Sequence, residues 1–107
     1  MKKITTTLFL LYMILAGCAS KKYGNVSYLG NSTSAIQQPT LNIFTPKNKK
    51  LNNPVLLFVH GGNWSSGDKK IYSLLGRNFA KKGVTTVIVG YTLSPNANYD
   101  QMATEVK

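Results

Sequence analysis

Few residues in this sequence are equipped for covalent or acid–base chemistry. The 107 residues hold one histidine, His60, one cysteine, Cys18, and three carboxylates, Asp68, Asp100 and Glu105. A lone His and a lone Cys leave no partner for an internal disulfide or for a His/Cys metal centre. No metal and no cofactor is expected. What stands out is backbone chemistry. Pro54-Val55-Leu56-Leu57-Phe58-Val59 runs into His60-Gly61-Gly62-Asn63-Trp64. Two glycines after an apolar run let the chain turn sharply and bare its N–H groups. Bare amides aimed into a cleft are donors for an oxyanion.

The elements that must hold that turn are legible around it. Val55 to Val59 is a short apolar run bounded by Pro and Gly, and it predicts a strand buried on both faces. In open α/β sheets, ligands sit beyond the carboxyl ends of such strands. Asp68 is the expected N-cap of a following helix. Ile71, Leu74, Leu75 and Phe79 fall on one stripe of it, which predicts the buried face. Lys81 and Lys82 suit its negative end, although Lys69 and Lys70 at its start do not. Gly83 suits its stop. Val84 to Val89 predicts the next strand, so strand–helix–strand reads as a parallel, right-handed crossover. Gly90 to Asn98 reads as loop, and Tyr99 to Lys107 as the beginning of a second helix. Upstream, Val26 to Leu29 and Leu41 to Phe44 read as two further strands. Gly30 to Ser34 reads as a turn and Pro46 to Asn53 as a loop.

The first 17 residues have the layout of an export signal. Lys2-Lys3 precede an apolar run, Leu8 to Leu15, that is too short to span a bilayer. Leu15-Ala16-Gly17-Cys18 resembles the bacterial lipobox. That resemblance implies cleavage before Cys18 and a diacylglyceryl group on its thiol. Acylation there would give stable anchoring in the cell envelope. Ala19 follows the Cys, which by the same resemblance favours the outer membrane where there is one. The expected layout is a signal peptide at 1–17, the lipidated Cys and a polar tether at 18–25, and a folded domain at 26–107. Net charge is +10, or +8 without Lys2 and Lys3. The lysines come in separated pairs with no nucleic-acid motif, so they read as solvated surface, and no nucleic-acid partner is expected.

His60-Gly61-Gly62-Asn63-Trp64, Gly67-Asp68-Lys69 and Tyr91-Thr92-Leu93-Ser94-Pro95 together resemble the α/β-hydrolase superfamily, in its esterase/lipase branch of feruloyl-esterase-like and hormone-sensitive-lipase-like carboxylesterases. The resemblance covers residues 26 to 107 and implies the N-terminal part of that fold: about four strands, one complete helix and the start of another. It further implies an oxyanion hole formed by the amides of Gly62 and Asn63, with Asn63 where many relatives have a third Gly. Asn tolerates positive φ better than most residues. His60, Gly61 and Trp64 would support the loop. His60 matches the residue that opens the loop and not the catalytic base. Thr92 stands where the family usually has Arg, so a structural ion pair is missing or replaced. Asp100 follows Tyr99 where an aromatic–Pro pair is common. Glu105 falls near the family's usual Asp, in a structural role.

The Ser–Asp/Glu–His constellation of that family requires a Gly-x-Ser-x-Gly elbow. No such pentapeptide occurs here, and Ser65, Ser66, Ser73 and Ser94 lack the context. The expectation is therefore a fragment of a lipid-anchored carboxylic-ester hydrolase, acting on small-molecule esters when whole and inactive as 107 residues. The alternative is a non-catalytic cell-envelope lipoprotein or gene remnant. In the family's sheet order a fifth strand would pair with Val55–Val59, which leaves that strand an open apolar edge here.

Overall fold

The structure, a computed structural model, describes residues 20–30 and 38–107. The export signal, Cys18 and most of the turn expected at Gly30–Ser34 lie outside the described residues.

Four strands form one mixed sheet in the order β1-β2-β4-β3. They are β1 (Ser20–Ser27), β2 (Thr40–Pro46), β3 (Val55–Val59) and β4 (Thr85–Val89). β2 runs antiparallel to both β1 and β4, and β3 runs parallel to β4 with Val55 opposite Thr85 and Val59 opposite Val89. One helix, α1 (Ser73–Lys81), connects β3 to β4, and α2 (Tyr99–Val106) follows β4. A sheet of four strands with one complete helix and a second after β4 matches the architecture expected from the sequence.

β1 corrects the expectation of a tether up to Asn25. Its residues are polar and largely exposed, so hydropathy gives no sign of a strand. The ladder to β2 holds it instead. A bulge between Tyr23 and Val26 puts Asn25 at φ 55°. The buried Asn42 side chain accepts the Asn25 amide at 3.1 Å, which satisfies a donor that the bulge frees.

The core is small. Phe44, Ala80 and Ile88 are fully buried, and Phe58 and Tyr72 pack against them. α1 faces this core with a different side from the expected one. Ile71 and Leu74 are exposed, Phe79 partly so, and the buried positions are Gly76 and Ala80. The reason is close approach: a Cβ on Gly76 would fall inside the Phe44 ring's contact distance. The helix lies against the sheet through its smallest side chains; Leu74 and Phe79 face away, and Leu75 of the expected stripe is half-buried. Asp68 is also not the N-cap of the helix proper, which starts at Ser73 after Tyr72. Its carboxylate caps the preceding turn by accepting the Lys70 amide at 2.8 Å. Lys69 avoids the helix start by donating to Thr40 Oγ1 at 2.8 Å. Gly83 (φ 90°) ends the helix, as its amide and that of Val84 return to the Ala80 and Phe79 carbonyls.

β3 is not buried on both faces. It is an edge strand, with Leu56 and Phe58 half-buried on one face, Phe58 against Tyr72 and the core, and Val55, Leu57 and Val59 exposed on the other. The open apolar edge is present as anticipated. α2 begins with a reciprocal capping box between Asn98 and Gln101.

Candidate active site

The strands fix where the loop after β3 must lie. The registers bring Ser27, Thr40, Val89 and Val59 to one edge of the sheet, and His60 to Asp68 emerges there. His60 is 4% exposed. Its Nδ1–H donates to the Gly61 carbonyl at 3.0 Å, since a carbonyl can only accept. Its ring stacks on Tyr91 with centroids 4.7 Å apart and lies 6.1 Å from Tyr72. The Tyr91 hydroxyl donates to the His60 carbonyl at 2.9 Å. One tyrosine therefore holds both the ring and the backbone of His60. The histidine opens the loop as a packed residue, with no carboxylate on its ring among the described residues.

Beyond His60 the chain closes a tight turn. Gly62 O accepts the Ser66 amide at 3.0 Å and the Ser66 hydroxyl at 2.7 Å. Gly62 adopts φ 142°, and a Cβ there would run into the Ser66 carbonyl. Asn63 and Trp64 follow at φ 52° and 63°. Two successive non-glycine residues in the left-handed region are uncommon, and for a bulky Trp this is strained. The turn directs its carbonyl inward to Ser66. Among the described residues, the amides of Gly62 and Asn63 have no acceptor. Gly67 seals the far end, because a Cβ at its φ of 114° would sit 2.5 Å from His60 Nδ1.

Gly62 and Asn63 line a cavity of about 550 Å³. Much of its remaining lining is apolar, with Val59, Trp64, Tyr99, Met102 and Val106. Trp64 meets Tyr99 edge to face at 5.4 Å and remains half exposed. Its carbonyl accepts the Ser94 amide at 2.9 Å, which ties the loop to the segment after β4. Trp64 thus both braces the loop and lines the cavity.

The segment Gly90-Tyr91-Thr92 is pinned residue by residue. The Tyr28 hydroxyl donates to the Gly90 carbonyl at 2.8 Å. Burial, helped by the negative charge of Glu105, pushes the Tyr28 phenol up to about 12. Glu105 on α2 accepts the Thr92 amide at 2.7 Å. The carboxylate therefore takes a backbone donor where an arginine partner is absent. Among the described residues, no three of His, Cys, Asp and Glu gather as a metal site would require.

Comparison with known proteins decides the family. The BD-FAE family model matches residues 41–107. The chain belongs to the BD-FAE family. This is an α/β-hydrolase esterase family. Kynurenine formamidase from Salmo salar is 31% identical over 67 residues, covering 63% of the chain and 23% of that protein. A probable isoprenylcysteine alpha-carbonyl methylesterase from Oryza sativa is 32% identical over 65 residues, covering 61% of the chain and 16% of that protein. Among solved structures, esterase B from Lactobacillus rhamnosis superposes with a TM-score of 0.71 at 18% identity, over 98% of the chain and 36% of its own. A thermostable esterase from Pseudomonas putida superposes with a TM-score of 0.60 at 30% identity, over 86% and 27%. The chain thus spans about a quarter or less of the curated relatives' length.

Sequence reasoning singled out Gly62, Asn63, His60, Gly61 and Trp64, and the structure places all five in one loop on the cavity. It assigned no role to Tyr91, Gly67 or Tyr99. Tyr91 and Gly67 stood inside the quoted motifs, which was a usable signal. Tyr99 opposite Trp64 had none.

Proposed function

We propose that this chain carries the oxyanion-hole portion of a serine carboxylic-ester hydrolase anchored to the bacterial cell envelope through Cys18, with the outer membrane favoured where there is one. One observation supports the reading: Gly62 and Asn63 line a cavity at the carboxyl end of β3, and their amides have no acceptor among the described residues. In an acyl transfer they would hold the oxygen that becomes negative when a serine hydroxyl adds to the ester carbonyl. The tetrahedral intermediate then collapses, the alcohol leaves, and water releases the acid. Serine, acid and base would come from polypeptide outside these 107 residues. The apolar lining would pack the ester's hydrocarbon part, and kinship with a kynurenine formamidase keeps a formyl amide as a second substrate class. The alternative, a non-catalytic envelope lipoprotein, draws on the lack of any Gly-x-Ser-x-Gly in this sequence.

Hydrolysis of a short-chain aryl ester separates these readings. The 107-residue chain is expected to show no turnover, and a product of the same reading frame that includes a Gly-x-Ser-x-Gly elbow is expected to hydrolyse it. Turnover by the 107 residues that is lost on Ser65→Ala or Ser66→Ala would overturn the assignment of the nucleophile. A longer product with the elbow but no activity on ester or formyl amide would favour the alternative.

A further inference from the structure

The sheet has a second edge, opposite the candidate site, and its charge is one-sided. The registers place Ser20, Pro46, Val55 and Thr85 along it. Lys21 and Lys22 open β1 there, and Lys47, Lys49 and Lys50 occupy the β2–β3 loop beside them, all exposed. Lys81 and Lys82 end α1 just before β4 begins, also exposed. These two segments and the helix end bring seven lysines and no carboxylate to one edge. The three carboxylates of the chain, Asp68, Asp100 and Glu105, all follow the carboxyl ends of β3 and β4, on the site side, in company with Lys69, Lys70 and Lys107.

Two of these lysines converge on one side chain. Lys21 Nζ lies 5.0 Å and Lys49 Nζ 5.9 Å from the centre of the same exposed Tyr23 ring, although they come from different segments. Lys22 Nζ lies 5.7 Å from the Phe44 ring. The Tyr23 phenol is held below its ordinary value, chiefly by a hydrogen bond from Lys21 and further by the charges of Lys21 and Lys49. The local field at this edge is positive.

We propose that the basal lysine edge docks on an anionic phospholipid surface, with the candidate site turned away from the bilayer. Lysine ammonium groups near such a surface meet lipid phosphates, and one acyl-bearing residue plus a basic patch makes a two-part anchor. Cys18 precedes Ser20 by two residues, and two residues of chain reach at most about 7 Å. A lipid on Cys18 would enter the membrane next to this edge and not next to the site. The proposal takes its insertion point from the lipid-anchor reading above, but its electrostatic part stands without it.

The test is co-sedimentation of the full 107-residue chain carrying Cys18→Ser, which cannot be acylated there, with vesicles. One set contains phosphatidylglycerol and phosphatidylcholine, the other phosphatidylcholine alone, so the neutral set measures whatever the apolar run at 8–15 contributes. Preference for the anionic vesicles is expected, and it should weaken at high salt. Lys49→Gln with Lys50→Gln should lower that preference about fivefold per lysine, more than tenfold for the pair. Lys70→Gln with Lys107→Gln removes the same charge from the site edge and should change it less than twofold. Equal losses from the two pairs would mean that net charge alone acts, and would overturn the proposal. So would no anionic preference, or duplex DNA binding that outcompetes the vesicles. Mass spectrometry of the native chain finding no diacylglyceryl group on Cys18 would overturn the anchor reading while leaving the vesicle result intact.

Discussion

β3 and β4 lie side by side, parallel and in register over five residues, yet they live in different environments. β4, Thr-Thr-Val-Ile-Val, has Thr86 and Ile88 fully buried and Val89 nearly so. β3, Val-Leu-Leu-Phe-Val, is the more apolar of the two and is 67% exposed at Val55 and 61% at Leu57. Position in the sheet decides this, since β4 has a neighbour on each side and β3 has one. Apolarity in a strand thus records the burial a sequence is suited to, whether or not the chain in hand supplies it. The candidate oxyanion loop grows from the exposed strand, so the candidate site sits where the fold is least covered.

Substitutions in the two strands should separate most widely in stability. At a dilution that keeps the chain monomeric, Ile88→Ala is expected to lower amide hydrogen-exchange protection in β4 by about 2–5 kcal/mol, and Leu57→Ala to change it by no more than about 0.5 kcal/mol, as exposed positions do. Equal costs would mean that β3 is covered in solution. Association should show the reverse order. The 107-residue chain by itself is expected to be unstable or to associate through the β3 edge, and Leu57→Lys should shift it toward monomer in sedimentation velocity while Val87→Lys should not. A cooperative, monomeric thermal transition of the unsubstituted chain would break the comparison from the other side.

Smaller effects probe the ties between β4 and the loop. Tyr91→Phe removes the hydroxyl that holds the His60 carbonyl and should cost about 1 kcal/mol, with the largest amide shifts at Gly61 to Asn63. Tyr28 gives a pH signature. Its phenol keeps its proton up to about 12 in the fold and loses it near 10 when unfolded. The unfolded chain therefore binds fewer protons between these values, and the contribution is full below pH 10 and lost as pH rises toward 12. Tyr28→Phe should flatten that decline, which alkaline denaturation curves would read.

Much of this was legible in the residues. The parallel pairing of β3 and β4 followed from two β-branched runs separated by a helix-length segment, and the loop from His-Gly-Gly. Asn63 indeed takes a positive φ, as its type allows. Three features were not legible. β1 is held by ladder hydrogen bonds and by Asn42, which leave no trace in hydropathy. α1 turns Gly76 to the core because Phe44 needs the space, and a stripe of large residues cannot announce a contact made by a missing side chain. Trp64 at positive φ is imposed by the turn around it and runs against its own preference. Each miss is a case where tertiary contact overrides local pattern.

Replacing the Gly62–Asn63 peptide bond by an ester, in a form of the protein that includes the nucleophile, deletes the Asn63 N–H and leaves the side chains in place. The kcat for a short-chain aryl ester should then fall about 10²–10³-fold with KM little changed. An unchanged kcat would show that this amide does not meet the oxyanion.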